Sequence, residues 1–303
     1  MAFLITLVGP TAIGKTDLAI QMAQHFGTEI ISADSRQVFK EMSIGTAKPS
    51  PQDLSLVKHH FINSHSIHED FSVGQFEKEG LAILTQIFKT NQTAILAGGS
   101  GLYVNAITQG FDDLPVAPPS LRKELNDTLS EKGINYLQEE LKKLDPEYYT
   151  EVDINNPQRM IRALEVCLHT GNKFSELRKN QQNKRPFQII KIGLKMEREA
   201  LYKKINRRVD LMMEAGLLEE VRTLLPYRHL NALQTVGYQE IFDYLDGKCS
   251  LADAVSKIKQ NTRRFAKRQM TWFNKDQEIN WFEPNQYQNI LQFVESQMNT
   301  ANP

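Results

Sequence analysis

Apolar positions in the first hundred residues follow two alternating patterns. The unbroken runs Phe3-Leu4-Ile5-Thr6-Leu7-Val8, Glu29-Ile30-Ile31-Ser32-Ala33 and Thr93-Ala94-Ile95-Leu96-Ala97 read as strands buried on both faces. Between them, residues 17–26 carry Leu18, Ala19, Met22 and Phe26 at three- to four-residue spacing, and residues 75–89 are likewise predicted helical. Strand–helix alternation of this kind predicts βαβ units and a parallel sheet. The pattern breaks at Leu114-Pro115-Val116-Ala117-Pro118-Pro119, which can continue neither a helix nor a central strand. Only helices are predicted next, over 121–129, 134–144 and 158–169, the last stopped by Gly171. The run at 188–194 is strand-like again, and helices at 198–215, 217–225, 239–245 and 251–273 complete the reading. The expected architecture is α/β: a parallel-sheet core with C-terminal helices (1–115 and 187–303), interrupted by a helical insertion domain (116–186). Residues 298–303 are expected to fray.

Composition narrows the class. The chain has 303 residues, 41% hydrophobic and 24% charged, as in an ordinary globular protein. Its 36 basic and 36 acidic residues cancel, which excludes binding to nucleic acid or membranes through bulk charge. The balance is uneven along the chain: the first 150 residues hold 12 basic and 18 acidic side chains, and the remainder reverses that excess. Two cysteines, Cys167 and Cys249, are too few for a disulfide framework or a cysteine-rich zinc site. No apolar run is long enough to span a membrane, and the apolar N-terminus lacks a basic leader. A soluble cytoplasmic protein is expected.

Gly9-Pro10-Thr11-Ala12-Ile13-Gly14-Lys15-Thr16 fits G-x-x-x-x-G-K-[ST] between a predicted strand and a predicted helix, the context a phosphate-binding P-loop requires. Glycines let successive N–H groups turn inward toward phosphate oxygens, and the helix start adds its positive dipole end. Lys15 brings a full charge, and Thr16 can bind Mg²⁺ or one of its waters. The strand that would supply the Mg²⁺-binding acid of a triphosphate hydrolase ends instead in Gly98-Gly99-Ser100-Gly101. The loop therefore reads oligophosphate, with no specific sign of ATP hydrolysis.

Ligands of parallel sheets bind at the carboxyl ends of strands, where Asp34-Ser35-Arg36-Gln37 should face this loop. Asp34 there is either a base or metal ligand for a second substrate, or a backbone cap. The Gly98–Gly101 segment is either a second ligand loop with one hydroxyl or a plain strand-to-helix turn. Residues 254–275 hold seven basic side chains and no acidic one, with Phe265, Trp272 and Phe273 interleaved. Gln260, Arg264, Lys267, Arg268 and Thr271 share one helical face, either a footprint for a phosphate backbone or a solvated surface over a core-packed Phe265 and Trp272. Residues 173–191 form a second basic tract, and Arg159 and Arg162 lie one helical turn apart. His59, His60, His65 and His68 fall in a predicted loop and read as polar contacts, and Tyr148 and Tyr149 as packing.

Together these motifs resemble the tRNA dimethylallyltransferases, or tRNA isopentenyltransferases. The resemblance runs through Gly9–Thr16, Ser32-Ala33-Asp34-Ser35-Arg36-Gln37, Ile44-Gly45-Thr46-Ala47-Lys48-Pro49, Gly98-Gly99-Ser100-Gly101-Leu102-Tyr103, Asn156-Pro157-Gln158-Arg159, Arg162-Ala163-Leu164-Glu165-Val166, Val236-Gly237-Tyr238, Ala266-Lys267-Arg268-Gln269 and Thr271-Trp272-Phe273. It implies a P-loop core with a helical insertion that helps grip the tRNA anticodon stem-loop, and transfer of a dimethylallyl group from dimethylallyl diphosphate to N6 of adenine 37. It implies Mg²⁺, with Thr16 as its protein ligand, and a monomer. Residues 9–16 would hold the diphosphate, with Asp34, Lys15 and Thr16 catalytic. Asp34, Ser35, Arg36, Gln37, Ser100, Arg122, Gln158, Arg159, Met160, Ile161, Arg162, Lys267 and Arg268 would contact tRNA, Gln37 reading the adenine edge. Ser100 stands where the family usually has threonine, and Glu197-Arg198 where Asp-Arg is usual. Rival classes are a nucleotide or metabolite kinase, an isopentenyltransferase acting on free adenine nucleotides, and a non-enzymatic RNA-binding module.

Overall fold

The computed structural model describes residues 1–112, 114–178 and 183–301. Lys179 of the basic tract and the terminal residues 302–303 lie outside the described residues. The elements in chain order are β1 (Phe3–Val8), α1 (Lys15–Phe26), β2 (Ile30–Ala33), α2 (Pro51–Leu56), β3 (His59–His60), α3 (Val73–Ile87), β4 (Thr93–Gly98) and α4 (Gly101–Thr108). Next come α5 (Pro119–Lys132), α6 (Ile134–Leu144), α7 (Pro146–Glu151), α8 (Pro157–Thr170) and α9 (Phe174–Leu177). β5 (Gln188–Leu194), α10 (Arg198–Glu214), α11 (Leu217–Thr223), α12 (Gln239–Leu245), α13 (Leu251–Phe273), β6 (Asn280–Phe282) and α14 (Tyr287–Ala301) follow. Among the described residues no helix is long and apolar enough to cross a membrane.

The chain divides into two compact units, residues 1–109 with 184–303, and residues 110–183. The expected insertion limits of 116 and 186 shift for packing reasons. Leu114 packs on the second unit's core, so the boundary precedes the proline run. Arg185 donates to the Ala106 and Ile107 carbonyls and to Glu77 at 2.6 Å, all in the first unit, so the chain has rejoined that unit before residue 186.

The first unit is built on a six-stranded, all-parallel sheet in the order β3-β2-β4-β1-β5-β6. All six residues of β1 are buried at its centre, as an unbroken apolar run between two layers of helix requires. Because the strands are parallel, the carboxyl ends of β1, β2 and β4 open onto one edge, and the loops after them carry the Gly9, Asp34 and Gly99 segments. His59 and His60, expected in a loop, form the edge strand β3, paired with Ile30 and Ile31. The expected fraying from residue 298 does not hold through Ala301: α14 buries Ile290, Leu291 and Val294, and Met298 and Ala301 pack against the same core.

The second unit is helical. Its core gathers Leu125, Leu137, Leu141, Tyr148, Met160, Ile161, Leu164 and Phe174, so Tyr148 is a packing residue as read from the sequence. Met160 and Ile161 are fully buried there, which corrects their assignment as tRNA contacts: on α8 only every third or fourth residue faces out. The exposed members of that segment are Gln158 and Arg159. Arg162 and Arg122 flank the buried Glu165 carboxylate at 3.9 and 3.5 Å.

Candidate active site

The turn from β1 into α1 requires backbone that only glycine adopts freely. Gly9 and Gly14 have φ of +148° and +107°, and a Cβ on Gly9 would lie 2.8 Å from the Leu194 carbonyl. Ala12 is held at φ +66°, a conformation a non-glycine residue enters at a cost. Lys15 folds over this loop, its Nζ donating to the Gly9 and Pro10 carbonyls at 2.9 and 2.8 Å. Burial pushes its ammonium down to about 7; nearby Arg208 adds to the shift and Asp34 opposes it. The Thr16 side chain lines the same cavity and makes no hydrogen bond among the described residues.

Asp34 follows β2. Its Oδ1 accepts from the Arg36 and Gln37 N–H groups at 2.9 and 3.2 Å, while Oδ2 has no hydrogen-bond partner among the described residues. The capping reading of Asp34 is thus observed at Oδ1, while Oδ2 lies open to the site. Ser100 Oγ accepts from the Ser35 N–H at 3.0 Å and donates to Ser35 Oγ at 3.3 Å, so this hydroxyl joins two loops and is not free. Gln37 likewise spends its amide internally. Its Nε2 donates to the Thr46 and Ala47 carbonyls, both at 3.1 Å, and its Oε1 accepts from Ser32 Oγ. In this arrangement the Gln37 amide braces the residue 44–49 loop.

That loop is held from its other side by Glu220, which the sequence reading passed over, and by Tyr238 of the Val236-Gly237-Tyr238 motif. Glu220 accepts from the Ser43, Ile44 and Gly45 N–H groups at 3.0, 2.7 and 2.9 Å, and from the hydroxyl of fully buried Tyr238 at 2.7 Å. The Tyr238 ring packs on Gly45, where a Cβ would come within 2.5 Å of it. Lys48, lowered to about 8 by burial, clips the loop's end to the Phe39 carbonyl.

Two cavities of the first unit adjoin here. One is floored by residues 11–17 and walled by Ser32, Gln37, Gly98, Gly99 and Gln269. The other is lined by Arg36, Ser100, Met212, Val236, Ile258 and Thr262. Thr11, Asp34, Thr46, Ala47, Arg208 and Phe265 line both, so Asp34 stands where they meet. Arg208 was also not foreseen; its Nη1 reaches Thr11 Oγ1 at 3.3 Å. Phe265 is 39% exposed at this junction, and Trp272 is half-buried against Gly101, so neither is packed in the core. On the outer face of α13, Gln260, Arg264, Lys267, Arg268 and Thr271 are all exposed, and Lys267 and Arg268 have no carboxylate partner among the described residues. No cluster of three or more metal-ligating side chains occurs among the described residues.

Residues 37–276 match the family model described as IPP transferase. The tRNA dimethylallyltransferase of Christiangramia forsetii is 54% identical over 299 residues, covering 98% of this chain and 99% of the relative. That of Flavobacterium johnsoniae is 53% identical over 289 residues, covering 93% and 94%. The full-length tRNA isopentenylpyrophosphate transferase from Bacillus halodurans superposes with a TM-score of 0.74 at 36% identity, over 99% of this chain and 98% of that one. A eukaryotic dimethylallyltransferase acting on tRNA gives a TM-score of 0.82 at 27% identity, over 99% and 80%.

Proposed function

The chain belongs to the IPP transferase family, and on that premise we propose that it transfers the dimethylallyl group of dimethylallyl diphosphate to N6 of adenine 37, next to the tRNA anticodon. The observation that carries this reading is Asp34 Oδ2, without a hydrogen-bond partner among the described residues, at the junction of two cavities, one of them floored by the phosphate loop.

The donor's diphosphate lies on residues 9–16. Lys15 leaves its loop carbonyls for phosphate oxygens, and Arg208 adds a second cation. These charges stabilise the negative charge that grows on the diphosphate as the allylic C–O bond breaks. Adenine 37 enters the second cavity flipped out of its stack, a movement least costly in a single-stranded loop. Its N6 lone pair forms the new bond to the allylic carbon, its proton passes to Asp34 Oδ2, and diphosphate departs. General-base assistance of this kind is worth about 10²–10⁴-fold.

Magnesium fits the residues present. The Thr16 hydroxyl has no hydrogen-bond partner among the described residues and lines the donor cavity, and a cation held by one hydroxyl, substrate oxygens and water suits Mg²⁺, which keeps much of its hydration. Bound there, Mg²⁺ would neutralise part of the diphosphate charge. For the tRNA backbone the unpaired cations among the described residues are Lys267 and Arg268 on α13 and Arg159 on the second unit, where Arg162 and Arg122 share the Glu165 carboxylate. The monomer suffices, since one chain supplies both cavities. The free thiols Cys167 and Cys249 suit a reducing cytosol.

The test is incubation with radiolabelled dimethylallyl diphosphate and, in turn, tRNA, AMP and ATP. Label is expected in tRNA alone. Label in AMP or ATP would reassign the acceptor, and transfer of a terminal phosphate from ATP to any acceptor would identify a kinase.

A further inference from the structure

Gln269 sits on the inner face of α13, only 6% exposed. Its Oε1 accepts from the Thr11 N–H of the phosphate loop at 2.8 Å, and its Nε2 donates to the Gly99 carbonyl at 2.9 Å. An amide is required: a carboxylate has no donor for Gly99, and lysine or arginine has no acceptor for Thr11. The fit leaves no slack, because a Cβ on Gly99 would lie 2.2 Å from Gln269 Nε2. Thr11 is thus gripped twice, through its N–H by α13 and through its hydroxyl by Arg208 of α10. The two residues before Gln269 are Lys267 and Arg268, both exposed on the same helix, Lys267 on the side opposite Gln269 and Arg268 on its flank. A 23-residue helix is stiff over so short a span. A displacement of α13 that follows an RNA backbone therefore moves the acceptor under Thr11 and the donor on Gly99 together.

We propose that Gln269 is a positioning residue that links the RNA-facing side of α13 to both glycine loops, so that tRNA docking sets the affinity of the phosphate loop for the donor's diphosphate. This rests on the function proposed above; although Gln269 also walls the donor cavity, the role assigned to it is exerted through the two loops.

The full-length protein tests it through the Kd of inorganic diphosphate with Mg²⁺, measured with and without saturating tRNA. In the wild type, tRNA should tighten diphosphate about 5-fold or more, within the usual range of coupling between sites. Gln269→Met keeps the side-chain volume and removes both hydrogen bonds; its ratio should fall below about 2. Gly99→Ala evicts the amide by a different route, should give the same loss, and decides the matter if Gln269→Met does not fold. A merely structural role would weaken diphosphate binding equally with and without tRNA and leave the ratio unchanged. A folded Gln269→Met with the wild-type ratio, or a wild-type ratio of one, overturns the proposal. Failure of the wild type to prenylate tRNA at all would count instead against the proposed function.

Discussion

Tyr238→Phe isolates one hydrogen bond in the brace behind the residue 44–49 loop. The hydroxyl is fully buried and donates to Glu220 at 2.7 Å. Its removal leaves the ring against Gly45, and Glu220 retains three N–H donors, so no buried charge is left without partners. The loss is therefore that of one hydrogen bond to a charged acceptor, about 1.5–3 kcal/mol. For a cooperative unit of this size, about 2–4 °C per kcal/mol converts this to a Tm lower by about 3–12 °C. Thermal unfolding followed by circular dichroism measures it, alongside steady-state prenyl transfer at 25 °C. Because the loop stays pinned, kcat/KM should fall by less than about threefold, or under 0.7 kcal/mol of transition-state stabilisation. An unchanged Tm would show that the hydroxyl does not anchor the loop. A tenfold loss of kcat without loss of Tm would place Tyr238 in the reaction itself.

Three further outcomes are expected. Asp34→Asn should lower kcat by about 10²-fold or more while tRNA affinity by filter binding changes little, and wild-type turnover would refute the base assignment. Lys267→Ala and Arg268→Ala should each weaken tRNA binding and reduce the slope of log affinity against log salt by about one; an unmoved slope would remove α13 from the interface. On the proposed function Lys15 binds diphosphate as the ammonium form, and burial lowers its free-enzyme pKa to about 7. Diphosphate raises that pKa on binding, so affinity should be greatest below pH 7 and decline as pH rises through it. Lys15→Arg, whose charge does not titrate, should lack this decline; identical pH profiles by calorimetry would refute the argument.

The long elements were legible because their apolar positions keep a strict period. The ends of β1, α6, β5, α12 and α13 fall where the pattern puts them. The elements missed, α2, α4, α7, α9, β3, β6 and α14, are mostly too short to display a period, and α4 was hidden by the glycines before it. Within the site, the phosphate loop and Asp34 were visible as motifs. Arg208, Gln269 and Glu220 were not, though each left a sign. Arg208 lies on the apolar stripe Leu201, Ile205, Val209 and Met212; Gln269 continues Ala254, Ile258 and Ala266; Glu220 lies between Leu217 and Val221. A polar side chain at a core-facing position must find a buried partner, and here those partners are the loops of the site. The converse error, counting Met160 and Ile161 as contacts, came from carrying over a continuous segment where α8 presents alternating faces.

The self-engaged posture of Lys15 bears on selectivity. Two of the three Lys15 ammonium donors are held by carbonyls of its own turn. An incoming group must compensate for both surrendered contacts at once. A single phosphate or sulfate from the cellular pool would do so poorly, whereas a linked pair of phosphoryl groups reaches the lysine and the helix start together. On the proposed function, the cradle therefore discriminates by the valency of the diphosphate and not by the hydrocarbon it carries.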